Sequence, residues 1–234
     1  PNISKSFTKS NKFVNPYLFV DHLSCKLKKN DIIIPDDGGH LTWFMQAFKT
    51  KIGQRVFSAF GNSPMGYSFP AAIGASIASN KKRVVCIDGD GSFQINMQEL
   101  QTVVNEKLPI KIFIFNNGGY GIIKQFQSLY LEKRYNASGI GVSAPDYKRI
   151  ANAYKLKYFS VKKNYQSKTI ISKALKFKGA CIVEVFIHPD QKIVPKLAFG
   201  RPIEDLDPKL HRKEFMDNMI VTPIKSDIDI IEAN

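Results

Sequence analysis

The chain has 234 residues, enough for one large α/β domain or two small ones, and its apolar (44%) and charged (23%) fractions are ordinary for a globular protein. No apolar run approaches the ~20 residues of a membrane span, and the polar opening PNISKSFTKSNKF lacks the apolar centre of a secretion signal. The net charge of +14 comes from lysines scattered over strand flanks and helix faces, as in KLKKN and NKKR, with no nucleic-acid-binding signature, so solvated basic faces are expected rather than a nucleic-acid partner.

Residues 1–14 read as a linker from a preceding domain, and the initial proline suggests part of something longer. In NPYLFVDHLSCKLKKN, Asn15 can cap a helix, Pro16 suits its first turn, and the apolar residues recur at helical spacing. DIIIPDDGGH is a short apolar strand ending in acid, glycine and His40. LTWFMQAFK is helical, with Trp43 and Phe44 expected in the core. RVFSAF reads as a strand, and GNSPMGYSFPAAIGASIASN as a glycine-rich turn running into a small-residue helix. RVVCID and IKIFIF are strands, followed by helices in FQINMQELQTVVNEK and GYGIIKQFQSLYLEK. A helix at 146–155, a strand at 157–161, a helix at 165–177 and a strand at 180–187 complete a domain spanning 15–188. Residues 189–234 form a Pro-rich C-terminal extension, expected to pack on the domain, with a late helix at 211–219. Cys25, Cys86 and Cys181 form no CxxC pair, so reduced, buried thiols in a cytoplasmic protein are expected, without a zinc or iron–sulfur site.

The strands are continuously apolar rather than alternating, and they alternate with helices. Both features point to a three-layer α/β/α domain whose central, mostly parallel sheet is covered on both faces. In such sheets ligands bind outside the carboxyl ends of the strands. The glycines and unusual polar residues of this chain gather at those ends: Asp36-Asp37-Gly38-Gly39-His40, Gly61 to Gly66, Gly89 to Ser92 and Asn116 to Gly119.

Two of those ends carry the chemistry. Asp90 and Asn117 follow separate strands, and if the strands are neighbours their side chains share one crevice. A carboxylate, an amide oxygen and a backbone carbonyl suit Mg²⁺ or Ca²⁺, with phosphate oxygens completing the shell. Gly89 and Gly91 would let backbone N–H groups face a phosphate, and Ser92 would add a hydroxyl and the positive end of a helix. An ordinary Asp-Gly or Asn-Gly turn is the competing reading. The segment is neither a Walker loop, since no GK[ST] follows, nor a G-x-G-x-x-G fingerprint. Glu99 is expected on a helix, paired with a lysine, and Asn116 to satisfy backbone groups in its turn.

GDG at 89–91 followed by NN at 116–117 resembles the thiamine-diphosphate motif. GDGSFQINMQELQTVVNEKLPIKIFIFNNGGYGIIKQFQ, MGYSFPAAIGASIA and the tail GRPIEDLDPKLHRKEFMDNMI resemble the acetohydroxyacid (acetolactate) synthase family from about residue 15 to 220. The resemblance implies a C-terminal diphosphate-binding domain of the thiamine-diphosphate fold. Asp90, Asn117 and the backbone oxygen of Gly119 would ligate Mg²⁺. Gly91, Ser92, Tyr120 and Gly121 would line the diphosphate, Gly39 and His40 would approach it from the first strand end, and Met65 would prop the cofactor in its bent form. No catalytic side chain is assigned to this chain, because the cofactor acts as electron sink. The implied reaction decarboxylates a 2-oxo acid and passes the acyl carbanion to a second carbonyl. A 2-oxo acid decarboxylase or oxidase of the same family, or a non-catalytic module with the same fold, are the alternatives.

Three positions depart from the synthases: Gly39 replaces a glutamine, GNSP replaces GLGT, and Phe126 stands where a tryptophan shapes the acceptor pocket. They leave the acceptor substrate open. The resemblance also places the activating glutamate on an N-terminal pyrimidine-binding domain, in cis or as a separate subunit, and FAD on a middle domain. The site would form between subunits of a homodimer or tetramer, and the isolated chain is expected to be inactive.

Overall fold

The computed structural model describes residues 12–224, which divide into two compact units, one ending at Lys192 and the other beginning at Ile193.

In the first unit, helix α1 (Pro16–Lys26) opens as its sequence dictates: the Asn15 side chain accepts the Leu18 N–H at 3.2 Å, and Pro16 fills the first helical position, where no N–H is required. Strand β1 (Ile32–Pro35), helix α2 (Gly39–Ala47), strand β2 (Arg55–Val56), helix α3 (Ser68–Ala78) and strand β3 (Val84–Gly89) follow. A 3₁₀ segment (Phe93–Glu99) leads into helix α4 (Leu100–Asn105), strand β4 (Lys111–Asn116) and helix α5 (Gly121–Tyr130). Helix α6 (Tyr147–Ala153), strand β5 (Lys157–Val161), helix α7 (Ser167–Lys176) and strand β6 (Cys181–Phe186) complete the unit. The sheet has six strands in the order β2-β1-β3-β4-β6-β5, and every pair is parallel.

Why the strands read as unbroken apolar runs is now plain: both faces are covered. Val84, Cys86, Ile112, Ile114 and Ile182 point to one face, where α3, the 3₁₀ segment and α6 supply Phe69, Phe93 and Tyr147. Val85, Ile87, Phe113, Phe115 and Val183 point to the other and are equally buried. There Phe19 of α1 meets Phe113 and Phe115 edge-on at 5.9 and 5.5 Å, and Trp43 of α2 stacks on Phe115 at 6.4 Å. Removing a side chain such as Phe113 would cost about 3–5 kcal/mol.

Three expected elements are corrected. The run RVFSAF pairs as a strand only at Arg55–Val56, because the chain leaves this edge for the turn that closes at Ser63 N–H to Ala59 C=O, 2.7 Å. The helix expected through 93–107 is interrupted, with Asn96 at φ −125°, ψ 22°. The next helix starts only at Gly121, since Tyr120 is held at ψ 78°. Glu99 accepts the Thr102 hydroxyl at 2.8 Å rather than meeting a lysine. Cys86 and Cys181 are buried, but Cys25 is exposed on the outer side of α1.

The second unit holds helix α8 (Arg212–Asn218) and an antiparallel bridge between Lys196 and Asp207. Arg212 grips Asp205 with two nitrogens at 3.1 and 2.9 Å and lies 4.7 Å over the Phe215 ring. No helix among the described residues is long and apolar enough to cross a membrane.

Candidate functional site

The chain runs from β1 outward to β2 and then returns through α3 to β3, from which it builds in the opposite direction. A crevice therefore opens at the carboxyl ends of β1 and β3, where the strand order reverses. The ten residues that the sequence offered as cofactor-binding line one pocket there, of about 300 Å³: Gly39, His40, Met65, Asp90, Gly91, Ser92, Asn117, Gly119, Tyr120 and Gly121.

The parallel register pairs Gly89 with Phe115, so Asp90 and Asn117 leave adjacent strand tips almost side by side. Asp90 is 3% exposed. Its N–H reaches Phe115 C=O at 3.3 Å, and its own C=O accepts the Tyr147 hydroxyl at 2.5 Å and Gln94 Nε2 at 3.0 Å. Burial pushes the Asp90 carboxyl up to about 6, while backbone N–H groups of Asp90 itself, Gly119, Gly118 and Asn117 pull it back down.

One end of the Asn117 amide faces Asp90 Oδ1 at 3.1 Å and Gly119 C=O at 2.7 Å. With nitrogen at that end, both contacts are hydrogen bonds. With oxygen there, three oxygens converge, of which the Gly119 carbonyl also accepts the Gly121 N–H at 3.2 Å and the Asp90 carboxyl takes backbone N–H groups. Adjacent ligands of an octahedral ion at 2.0–2.1 Å stand about 2.9 Å apart, so this spacing fits a hard divalent cation. A Cβ on Gly121 would lie 2.3 Å from the Asn117 amide, so only glycine leaves the amide its place.

A second line of contacts holds this loop. Asn116 Oδ1 accepts the Gly118 N–H at 3.0 Å, and its Nδ2 donates to Glu184 Oε1 at 2.6 Å. Glu184, buried on β6, also accepts the Tyr158 hydroxyl. Asn116 thus serves its turn, as expected, and is aimed from a neighbouring strand as well.

Beneath the β3 tip, Asp88 is fully buried, and burial together with nearby Asp36 pushes its carboxyl up to about 8. It takes hydrogen bonds from Ser68 Oγ at 3.0 Å, the Gly89 N–H at 2.9 Å and Ser92 Oγ. Asp36, His40 and Asp88 come within 4.8 Å of one another. Both Asp36 oxygens are nevertheless engaged by the Gly66 and Ser68 N–H groups at 2.8 and 2.6 Å, so the cluster is an internal hydrogen-bond network rather than a second cation site. The Ser92 hydroxyl turns inward to this network, and the interrupted 3₁₀ segment behind it offers much less dipole than a regular helix.

His40 sits in the first turn of α2 and is 6% exposed. Burial lowers its pKa to about 3, so the ring is neutral. Its Nε2 has no hydrogen-bond partner among the described residues, although a buried polar atom is costly unless paired. The residue lines the pocket, while Nε2 itself is buried. Tyr120 lays its ring against Gly91, and Met65, 41% exposed, projects into the same space.

Trp43, read from the sequence as core, is 3% exposed and also walls the pocket, its Nε1 donating to Lys192 C=O at 3.3 Å. Ile122 and Ile123 complete the rim. Sequence reasoning missed both, along with Glu184 and Asn96, and placed Asp36 at a strand end without giving it a role. Asn96 alone left a trace, as a poor helix former inside a helical pattern.

Residues 36–185 match the family described as thiamine pyrophosphate enzyme, C-terminal TPP binding domain. Among curated relatives, the acetolactate synthase large subunit of Porphyra purpurea is 35% identical over 176 residues, covering 75% of this chain and 30% of that protein. The probable acetolactate synthase large subunit of Methanococcus aeolicus is 37% identical over 167 residues, covering 71% and 28%. The mitochondrial acetolactate synthase catalytic subunit of Saccharomyces cerevisiae is 32% identical over 186 residues, covering 78% and 27%. The chain thus spans about a third of the length of the curated relatives it matches.

Proposed function

The chain belongs to the thiamine pyrophosphate enzymes, as their C-terminal TPP-binding domain, and from that premise we propose that it is the cofactor-holding part of an acetolactate synthase-type enzyme. That enzyme decarboxylates a 2-oxo acid and transfers the acyl unit to a second carbonyl compound. The observation that carries the reading is the convergence of Asp90 Oδ1, the Asn117 amide and Gly119 C=O within the pocket that Met65 also lines.

Asp90, Asn117 and the Gly119 carbonyl hold Mg²⁺ in this reading, and the ion holds the diphosphate. Thiamine diphosphate supplies the electron sink for decarboxylation and carbon–carbon bond formation. The protein's part is to bind, orient and exclude water. Gly91 and Gly121 let the backbone approach the phosphates, and Tyr120 covers them. Ser92 fixes the loop through Asp88. His40, beside Gly39 on the pocket wall, would approach the diphosphate as a neutral ring. Met65 offers a soft apolar support for a bent cofactor.

The remainder of the enzyme, in cis or as a separate subunit, covers the pocket. Helix α5 supports this: none of its residues is buried, and Ile123, Phe126 and Leu129 are each close to half exposed beside the pocket rim. A face of that kind marks an interaction surface. The activating glutamate is assigned to the covering part, and the assembly to a homodimer or tetramer, so the chain by itself binds cofactor weakly and turns nothing over.

The test uses the full-length protein with pyruvate. Release of CO₂ that requires thiamine diphosphate and Mg²⁺, with acetolactate as product, supports the proposal. Acetaldehyde or acetate as sole product overturns the ligase assignment, and the absence of Mg²⁺-dependent cofactor binding overturns the whole reading.

A further inference from the structure

Met65 stands in the pocket 41% exposed, on a side chain with three rotatable bonds. Gly66, the residue that follows it, is held through both of its peptide groups. The Gly66 N–H donates to Asp36 Oδ2 at 2.8 Å, and the Gly66 carbonyl accepts Asn96 Nδ2 at 2.6 Å.

Each arm of this clamp is itself anchored. Asp36 is fully buried at the end of β1; its other oxygen takes the Ser68 N–H at 2.6 Å, and its own N–H donates to Ile87 C=O at 2.8 Å on β3. Asn96 reaches Gly66 because the helix breaks at that residue, the one non-helical conformation within Phe93–Glu99. Gly66 has φ +85°, and a Cβ there would lie 2.9 Å from Ile95 Cβ and Cγ2 and 3.0 Å from Asn96 Nδ2. The interrupted helix and the buried carboxylate converge on one left-handed glycine, gripping the peptide groups on either side of it.

We infer that Asn96, with Asp36, is a positioning residue that sets the height of Met65 over the Asp90–Asn117 centre by clamping Gly66. The inference rests on reading the pocket as a thiamine diphosphate site, with Met65 beneath the bent cofactor. The diphosphate end is held by other residues, on the β3 and β4 tips, so the clamp governs the cofactor's shape and not its retention.

The test compares wild type, Asn96→Ala, Met65→Ala and the double variant in the full-length protein. Two quantities are read: affinity for thiamine diphosphate with Mg²⁺, by calorimetry, and the rate at which the bound cofactor exchanges its C2 proton with deuterated water, by quenched-flow NMR. Asn96→Ala is expected to slow exchange about 10- to 100-fold, the scale of a misplacement near 1 Å, while affinity stays within about threefold. In the Met65→Ala background, removing Asn96 is expected to change exchange no further, because coupled residues are non-additive. Asn96→Asp, of equal size but with no donor for the Gly66 carbonyl, is expected to behave like Asn96→Ala and guards against an effect of lost volume. Unchanged exchange in Asn96→Ala, additive losses in the double variant, or affinity falling in parallel with exchange would each overturn the inference and leave the cofactor site standing. A wild type that binds no thiamine diphosphate would overturn the cofactor reading and this inference together.

Discussion

The two walls of the pocket are built on opposite principles. The β3 tip is buried, the β4 tip is half-buried, and both are tied by hydrogen bonds: Asp90 to Phe115, Tyr147 and Gln94, and Asn116 to Gly118 and Glu184. Helix α5, which starts within the same pocket, buries none of its residues. It is fastened along one edge by polar contacts, Lys124 to Asp190 at 2.6 Å and Gln127 Nε2 to Asn136 C=O at 3.1 Å. The polar wall is complete within this chain, because desolvated oxygens must be positioned before they can hold an ion. The apolar wall is an open face, because apolar surface gains nothing until another surface covers it.

The sharpest way to break this contrast is Asp90→Ala in the full-length protein. Mg²⁺-dependent binding of thiamine diphosphate should fall by more than the roughly 10- to 100-fold usual for a residue behind the ligands, as titration calorimetry would read. Circular dichroism should remain that of the folded protein, since Asp90 is pinned by its backbone. Retained affinity would show that the polar wall is only a turn.

Glu184→Leu attacks the same wall from behind. It leaves Asn116 Nδ2 and the Tyr158 hydroxyl unpaired, each costing about 1–3 kcal/mol in a urea titration. Mg²⁺ affinity should weaken about tenfold, with nothing at the ion altered directly.

On the open wall, Ile123→Asp should change the stability of the fold by no more than about 0.5 kcal/mol, as for surface positions generally. Light scattering should nevertheless show a shift to smaller assemblies. A large loss of stability with unchanged assembly would mean that α5 belongs to the core of this chain.

The smallest expected effect concerns the ion pair at the edge of α5. The hydrogen bond from Lys124 holds the Asp190 carboxyl below the ordinary carboxylate range. A depressed folded pKa adds stability above the unfolded value, near 3.9, and that stability is lost as pH falls through the folded value. The pair is well exposed, with Asp190 64% accessible, so its contribution is about 0.5 kcal/mol or less. Asp190→Asn should be slightly less stable than wild type in denaturant at pH 6 and equal to it at pH 2.

Much of the first unit is legible from sequence for local reasons. Asn15 caps α1 because its side chain reaches only three residues ahead. The apolar runs at 84–87 and 112–115 can be buried on two faces only in a covered parallel sheet. Asp90 and Asn117 declared themselves because glycines surround them at strand ends. Asn96 and Glu184 stayed hidden, since neither has a neighbour in sequence that explains it. Asn96 meets Gly66 from the far side of α3 and β3, and Glu184 meets Asn116 across a strand pair. The arrest of the expected strand at Val56 was equally hidden, because pairing at a sheet edge depends on where the chain must turn next.

The amino-acid sequence by itself determined the layers, the direction of the strands, and which tips carry the candidate oxygen groups, because hydrophobic period, capping and glycine placement act over a few residues. Only the tertiary structure decided that Asp90 and Asn117 stand on adjacent tips, that the Ser92 hydroxyl turns inward, and that Gly66 is gripped from two strands away. Those outcomes depend on which strands pair and in what register, and contacts between residues distant in the chain exist only once the sheet has formed.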